Sequence, residues 1–294
     1  MIIVKLSGGL GNQLFQYSFG RFLSLKYKTE LKFDPQLNIV ASDFTPRLLG
    51  LSKYNIDLSF AEKDEARKYK FFKNDLLSKI ERKLVQNLPF FNKRFVVEKG
   101  FDIINKNNLI DNCYYDGYWQ SHYYFDSIAK ILENDLQLNF ELSEANKEFE
   151  KEIKQTNSIS LHIRRGDYLS IASNSKIYSI CTQEYYQKAI DFFKQKFENP
   201  VFFVFSDDIN WVNENFKGNV FKIVDINQDD PSSDLYLMSK CKHNVIANSS
   251  FSWWGAWLNS NSGKIVISPK DWYVNEETNN KALASLILKD WIII

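Results

Sequence analysis

Five short apolar runs recur through the second half of the chain, at 159–163, 201–205, 220–224, 244–247 and 264–267, with helical patterns between them. A strand buried on one face alternates apolar and polar residues; runs this nearly continuous belong to strands covered on both faces, as in a parallel sheet with helices above and below. The opening carries the same unit once. Ile2 to Leu6 reads as a strand, Ser7-Gly8-Gly9-Leu10-Gly11 as a turn, and the proline-free stretch Asn12 to Tyr27 as a helix. A second strand is expected over Glu30 to Phe33, ended by Asp34-Pro35 because proline removes a ladder donor. The expected fold is α/β with parallel sheets, and 294 residues suit two domains. A polar, acid-rich stretch at 141–157 without glycine or proline reads as a solvated helix bridging them, which gives domains 1–150 and 151–294.

Each second-half run is followed at once by polar side chains: Arg164-Arg165-Gly166-Asp167-Tyr168, Ser206-Asp207-Asp208, Asp225, Asn248-Ser249-Ser250-Phe251-Ser252 and Ser268-Pro269-Lys270-Asp271. Open parallel sheets bind ligands outside the carboxyl ends of their strands, so the site is expected along that edge of the second domain. Period-two alternation puts His162 and Arg164 on one face of the first strand and Ile163 and Arg165 on the other. Arg164 is then the guanidinium expected to face a ligand, and its planar fork suits a phosphate. The competing reading is that both arginines pair with Asp167 and other carboxylates as structural ion pairs. The string Asn248 to Trp257 is expected to open a helix near Ser252 behind a serine cap. Its first N–H groups and serine hydroxyls make an anion site, leaving room for a diphosphate between Arg164 and Ser250. Trp253, Trp254 and Trp257 are expected in the core.

Lys and Arg number 37 against 36 Asp and Glu, so a net charge of +1 supplies no global field for nucleic acid. The basic stretch 63–94 is the local exception. It reads as one or two amphipathic helices with a solvated face, and an approach to an anionic membrane is a lesser expectation. Cys113, Cys181 and Cys241 lack disulfide or zinc spacing, which suits a reducing cytoplasm. No secretory leader is expected from the opening IIVKL, and no run reaches the roughly 18 residues of a spanning helix. His122, His162 and His243 have no partner at ligand spacing and no Asp-x-Asp occurs, so no metal and no cofactor are expected, although Asp207-Asp208 and Asp229-Asp230 remain adjacent pairs. GGLGNQL matches two glycines of the dinucleotide fingerprint, Gly9 and Gly11, with Asp34 downstream for a ribose, but Leu14 fills the third position. An NAD-dependent oxidoreductase is therefore a secondary alternative. A non-catalytic glycan-binding module, suggested by the aromatic content and the basic stretch, is another.

GGLGNQLFQY at 8–17, GYWQSHYYF at 117–125, HIRRGDY at 162–168, FSDD at 205–208 and DLYLMSKCKHNVIANSSFSWWGAWL at 234–258, in that order, resemble the α-1,2-fucosyltransferases of glycosyltransferase family 11. The resemblance implies a GT-B-like enzyme: two Rossmann-like domains facing a cleft, GDP-fucose on the C-terminal one and the acceptor largely on the N-terminal one. It implies metal-independent, inverting transfer of L-fucose to the 2-hydroxyl of a galactose-terminated glycan. By position, His162 and Arg164 form the His-x-Arg pair, with Arg164 on the β-phosphate. Asp234 falls where related enzymes bind guanine, and Ser249, Ser250 and Phe251 surround the phosphates. Gly11 and Asn12 belong to the glycine loop, with Asn12 expected to reach across the cleft. Arg164, His162 and Asn12 are the expected catalytic set, and Tyr118 and Gln120 the expected acceptor contacts. Ile163 and Trp119 replace the usual valine and phenylalanine. Asp116, His122, His162 and Asp167 all have the chemistry of an acceptor base, none is singled out, and a dissociative route without a strong base is equally open.

Overall fold

The computed structural model describes residues 1–36, 49–72, 75–88, 91–166 and 175–294. The chain divides into two compact units, Met1–Gln137 and Leu138–Ile294.

The first unit carries a four-stranded sheet of order β2-β1-β4-β3, built from β1 (Ile2–Leu6), β2 (Leu31–Pro35), β3 (Phe95–Val97) and β4 (Cys113–Asp116), all parallel. Helix α1 (Leu10–Tyr27) packs on it, followed by α2 (Lys63–Arg67), α3 (Asp75–Asn87) and α4 (Ala129–Asp135). The strand β2 runs through Pro35, two residues beyond the expected end, with Pro35 in register with Leu6. The sheet order explains this, because β2 is an edge strand and a missing outward N–H there is tolerated. The close helix-to-strand approach falls at Gly20, where a Cβ would stand 2.8 Å from Leu31 Cδ1 and 3.0 Å from Val4 Cγ2. Behind α1, Phe19 stacks on Trp119 with centroids 4.1 Å apart.

The second unit carries a six-stranded parallel sheet of order β10-β9-β8-β5-β6-β7: β5 (Asn157–Ile163), β6 (Pro200–Ser206), β7 (Phe221–Ile223), β8 (His243–Val245), β9 (Val266–Ser268) and β10 (Ile292–Ile293). Its helices are α5 (Glu144–Gln155), α6 (Gln183–Lys196), α7 (Ile209–Asn215), α8 (Pro231–Lys240), α9 (Ser250–Trp257) and α10 (Glu276–Leu286). Both faces are covered, as the continuous apolar runs require. Ile159, Leu161 and Ile163 of β5 join Ile190 and Phe193 of α6 in one core. Phe203 and Phe205 of β6 join Ile153, Leu237 and Met238 in the other. Each such side chain fully buried is worth about 1.5–3 kcal/mol. Both units are Rossmann-like α/β layers, in keeping with the GT-B-like expectation.

Two expectations are corrected. The division falls at 137/138 rather than 150/151, because α5 belongs to the second core and is not a solvated bridge. Ile153 and Phe149 pack there, Asn146 exchanges 2.8 Å hydrogen bonds with Asn227, and Tyr236 donates to Glu150 at 2.8 Å. Three strands also went unread, β3, β4 and β10, each of four residues or fewer.

Candidate functional site

In the second sheet the chain steps from β5 outward through β6 and β7, then returns to the other side of β5 for β8, β9 and β10. The strand order therefore switches between β5 and β8, the place where open parallel sheets bind ligands outside their carboxyl ends. Arg164 follows β5, and Asn248 with Ser249 follows β8. The switch point is thus lined by the two strings that the sequence singled out.

Asp207, just after β6, organises the turn beyond β5. Its carboxylate accepts the backbone N–H of Arg165 at 2.9 Å and of Gly166 at 3.1 Å, and pairs with Arg164 Nη1 at 3.0 Å. A Cβ on Gly166 would stand 2.8 Å from Asp207 Oδ2, so glycine is what lets the carboxylate close on the backbone. Arg165 takes a separate course, with Nε 3.3 Å from Asp208 Oδ2 and its guanidinium 4.1 Å from the centre of the Trp211 ring. Both arginines are ion-paired, as the competing reading held, though through Asp207 and Asp208; Asp167 lies outside the described residues. Arg164 retains 23% side-chain exposure in this arrangement. The pair with Asp207 orients the Arg164 guanidinium at the carboxyl end of the sheet. Asp208 also caps α7, accepting from Trp211 N at 3.1 Å, so both carboxylates serve the local architecture. Among the described residues no group of three His, Cys, Asp or Glu side chains is placed to hold a metal ion.

Helix α9 begins at Ser250, two residues before the expected start. Ser249 is the cap, its Oγ accepting from Phe251 N at 3.3 Å, while Ser252 turns inward to bond Ala247 N at 3.2 Å. Trp253 and Trp254 are fully buried, as expected, with Trp253 Nε1 donating to Leu286 O at 2.6 Å. Alternation along β5 also holds: Ile163 enters the α6 core, whereas His162 turns toward Phe251, ring centres 5.6 Å apart. His162 is 4% exposed and its Nδ1 meets no hydrogen-bond partner among the described residues. Burial, and secondarily the Arg164 charge, push its pKa down to about 3, so the ring is neutral and a poor base at physiological pH. Asp234 stands in the first turn of α8, which packs against α9. Burial and Asp230 push its pKa up to about 7 against the opposing 2.9 Å bond from Asn227 Nδ2.

The first sheet has its own switch point, between β1 and β4. Gly8, at φ +78°, turns the chain out of β1, and a Cβ there would overlap Asn12 Nδ2. Gly11 is buried in the first turn of α1, and Asn12 Oδ1 accepts from Gln120 Nε2 at 2.7 Å, so the structure joins these two predicted residues. Tyr118, on the same loop, is 43% exposed. Sequence reasoning missed what holds that loop. Glu98, immediately after β3, accepts from Tyr118 N at 2.6 Å and Trp119 N at 2.9 Å, and a Cβ on Gly117 would overlap it. Burial raises its pKa to about 7 in spite of these bonds, and Asp116 adds to the rise. Asp116 is buried between Lys5 Nζ at 3.2 Å and Arg82 Nε at 3.3 Å. The available signal was an acid after the apolar Phe95-Val96-Val97, the same strand-then-polar pattern that located Arg164. His122 pairs with Asp126 at 3.0 Å. Asp34 accepts from Tyr114 Oη at 2.6 Å and Gln36 Nε2 at 3.1 Å, so both its oxygens are engaged, and the ribose role expected in the dinucleotide reading is not supported.

The model of the family described as glycosyl transferase family 11 matches residues 1–294. An alpha-1,2-colitosyltransferase of Escherichia coli is 37% identical over 285 residues, covering 95% of each chain. The O-antigen biosynthesis glycosyltransferase WbnK, also of Escherichia coli, is 32% identical over 314 residues, covering 98% of each. Galactoside alpha-(1,2)-fucosyltransferase 1 of Saimiri boliviensis boliviensis is 32% identical over 103 residues, 34% of this chain and 28% of that protein.

Proposed function

The chain belongs to glycosyl transferase family 11, and on that footing we propose that it moves L-fucose from GDP-fucose to the 2-hydroxyl of a galactose-terminated glycan, with inversion and without a metal. Membership makes it a glycosyltransferase and sets aside the oxidoreductase and non-catalytic alternatives. The observation that carries the donor reading is the Arg164 guanidinium, oriented by Asp207 at the switch point beside the Ser249-capped start of α9. As the sugar C1–O bond breaks, negative charge grows on the leaving diphosphate, and a fixed guanidinium with helix N–H groups favours that state over the ground state. Ser249, Ser250 and Phe251 are proposed around the phosphates, His162 as a neutral hydrogen-bonding ring, and Asp234 on the guanine. In the first unit, Tyr118 and Gln120 are proposed for the acceptor, with Gly11 and Asn12 contributing to donor contact.

A second donor has specific support, since the alpha-1,2-colitosyltransferase is similar over 95% of the chain. Colitose is L-fucose without its 3-hydroxyl, so a shared site need differ only in what meets that hydroxyl. The test is incubation of the purified protein with GDP-fucose, GDP-colitose, GDP-mannose and UDP-galactose, with EDTA present, against a panel of galactosides, followed by linkage analysis. A 2-linked fucosyl product formed in EDTA is expected; a 2-linked product from GDP-colitose alone replaces the donor, and no product from any GDP-sugar overturns the reading.

A further inference from the structure

Helix α3 is packed inside out. Its inward face is held by Glu81, 0% exposed, whose carboxylate accepts from Phe71 N at 2.8 Å, Phe72 N at 3.1 Å and Asn92 Nδ2 at 3.0 Å. Val85 enters the core beside it, and Gln86 Nε2 reaches Glu98 O at 3.1 Å. Against that face, five apolar side chains turn outward: Ile80 is 49% exposed, Leu88 56% and Phe71 59%, with Leu77 and Phe91 also exposed. Leu77, Ile80, Leu84 and Leu88 recur at helical spacing and form one stripe. The stripe continues into Phe91, which meets Phe71 edge-on at 5.4 Å. Five of the fourteen exposed large apolar side chains among the described residues thus crowd into 71–91. A helix that needed only its own core would bury those and expose the glutamate.

Charge says what covers the stripe. Residues 63–94 hold ten Lys and Arg against four Asp and Glu, a surplus of six, in a chain whose total is +1. Lys68, Lys79, Lys83 and Lys93 are exposed in the same segment as the apolar stripe. Two copies of this face meeting each other would set those cations together, whereas an anionic surface would neutralise them.

We propose that the exposed apolar side chains of α3 and beside it form a membrane-docking surface: Leu77, Ile80, Leu88 and the Phe71–Phe91 pair enter the headgroup boundary of an anionic bilayer, and exposed lysines of the same segment hold its phosphates. This is independent of the donor chemistry, because none of the docking residues is assigned to it. The test is flotation of the full chain with phosphatidylcholine vesicles and with vesicles enriched in phosphatidylglycerol, at low and high salt. Wild type is expected to float with the anionic vesicles only, and salt is expected to weaken this. The double substitution Lys79→Gln/Lys83→Gln should cut partitioning about fivefold per charge, roughly 30-fold for the pair. Ile80→Ser/Leu88→Ser should abolish flotation, and both variants should keep wild-type turnover on a soluble galactoside. Protein that stays at the bottom with both vesicles overturns the proposal, as does equal binding to neutral vesicles. So does a sedimentation-equilibrium dimer that Ile80→Ser dissociates, since the stripe would then belong to a second copy.

Discussion

Arg164 and Asp234 carry the tests that a single side chain can answer. Arg164→Ala is expected to lower kcat on the order of 100- to 1000-fold with the circular dichroism of wild type. Arg164→Lys should recover little of it, since a point charge cannot reproduce a fork that bonds Asp207 and the proposed phosphate at once. Wild-type turnover in a folded Arg164→Ala protein would remove the donor site from this position. Asp234 has its pKa raised to about 7, so in the free protein it is half protonated near neutrality. Guanine N–H groups are held by the carboxylate form. GDP binding should therefore tighten as pH rises through about 7, and below that value it should weaken by up to about tenfold per pH unit. Calorimetric titration across this range checks it, with Asp234→Asn reporting the residual slope from the nucleotide's own phosphate. An unchanged slope in Asp234→Asn would take guanine off this residue.

At the scale of elements, α9 and the turn after β1 carry residues proposed for function. Ser249→Ala removes the bond to Phe251 N and should cost about 1 kcal/mol of stability, read from the urea midpoint, together with a weaker affinity for GDP. Gly8→Ala places a Cβ at φ +78° and into Asn12 Nδ2, so it should disturb the Asn12–Gln120 bond as well as strain the turn. Its activity is expected to fall by more than its stability explains. The long second-unit strands were legible because β6 is a continuous apolar run and β5 places Ile159, Leu161 and Ile163 at period two over seven buried or half-buried residues. Strands β3 and β4 were not: Phe95-Val96-Val97 is too short to show a period, and Cys113-Tyr114-Tyr115-Asp116 hides its burial in residue types common at surfaces. Missing β3 meant missing Glu98, whose only sequence signal is its place after that strand.

For the whole molecule, two groups give stability an unusual pH dependence. Glu98 and Asp234 both have folded pKa values of about 7, raised from 4.5 and 3.8. Each binds its proton more tightly folded than unfolded, so the stability it contributes is full below the ordinary carboxylate range and is lost as pH rises through about 7. Glu98→Gln should therefore gain stability relative to wild type as pH rises from about 4.5 to about 7 and keep that gain above it, measured as the difference in urea midpoints. The sequence alone determined that this chain folds as α/β with parallel sheets, and which strand ends gather the polar side chains. It did so because burial on both faces and the strand-then-polar order are written in consecutive residues. It left open which arginine meets which acid, that His162 is neutral, that Glu98 clamps the loop of Tyr118, and that α3 turns Leu77 and Ile80 outward. Each depends on residues far apart in the chain meeting in space: Arg164 and Asp207 follow neighbouring strands, and Glu98 and Trp119 are joined only once β3 lies beside β4. Such pairings arise only from the strand order, which no local pattern encodes.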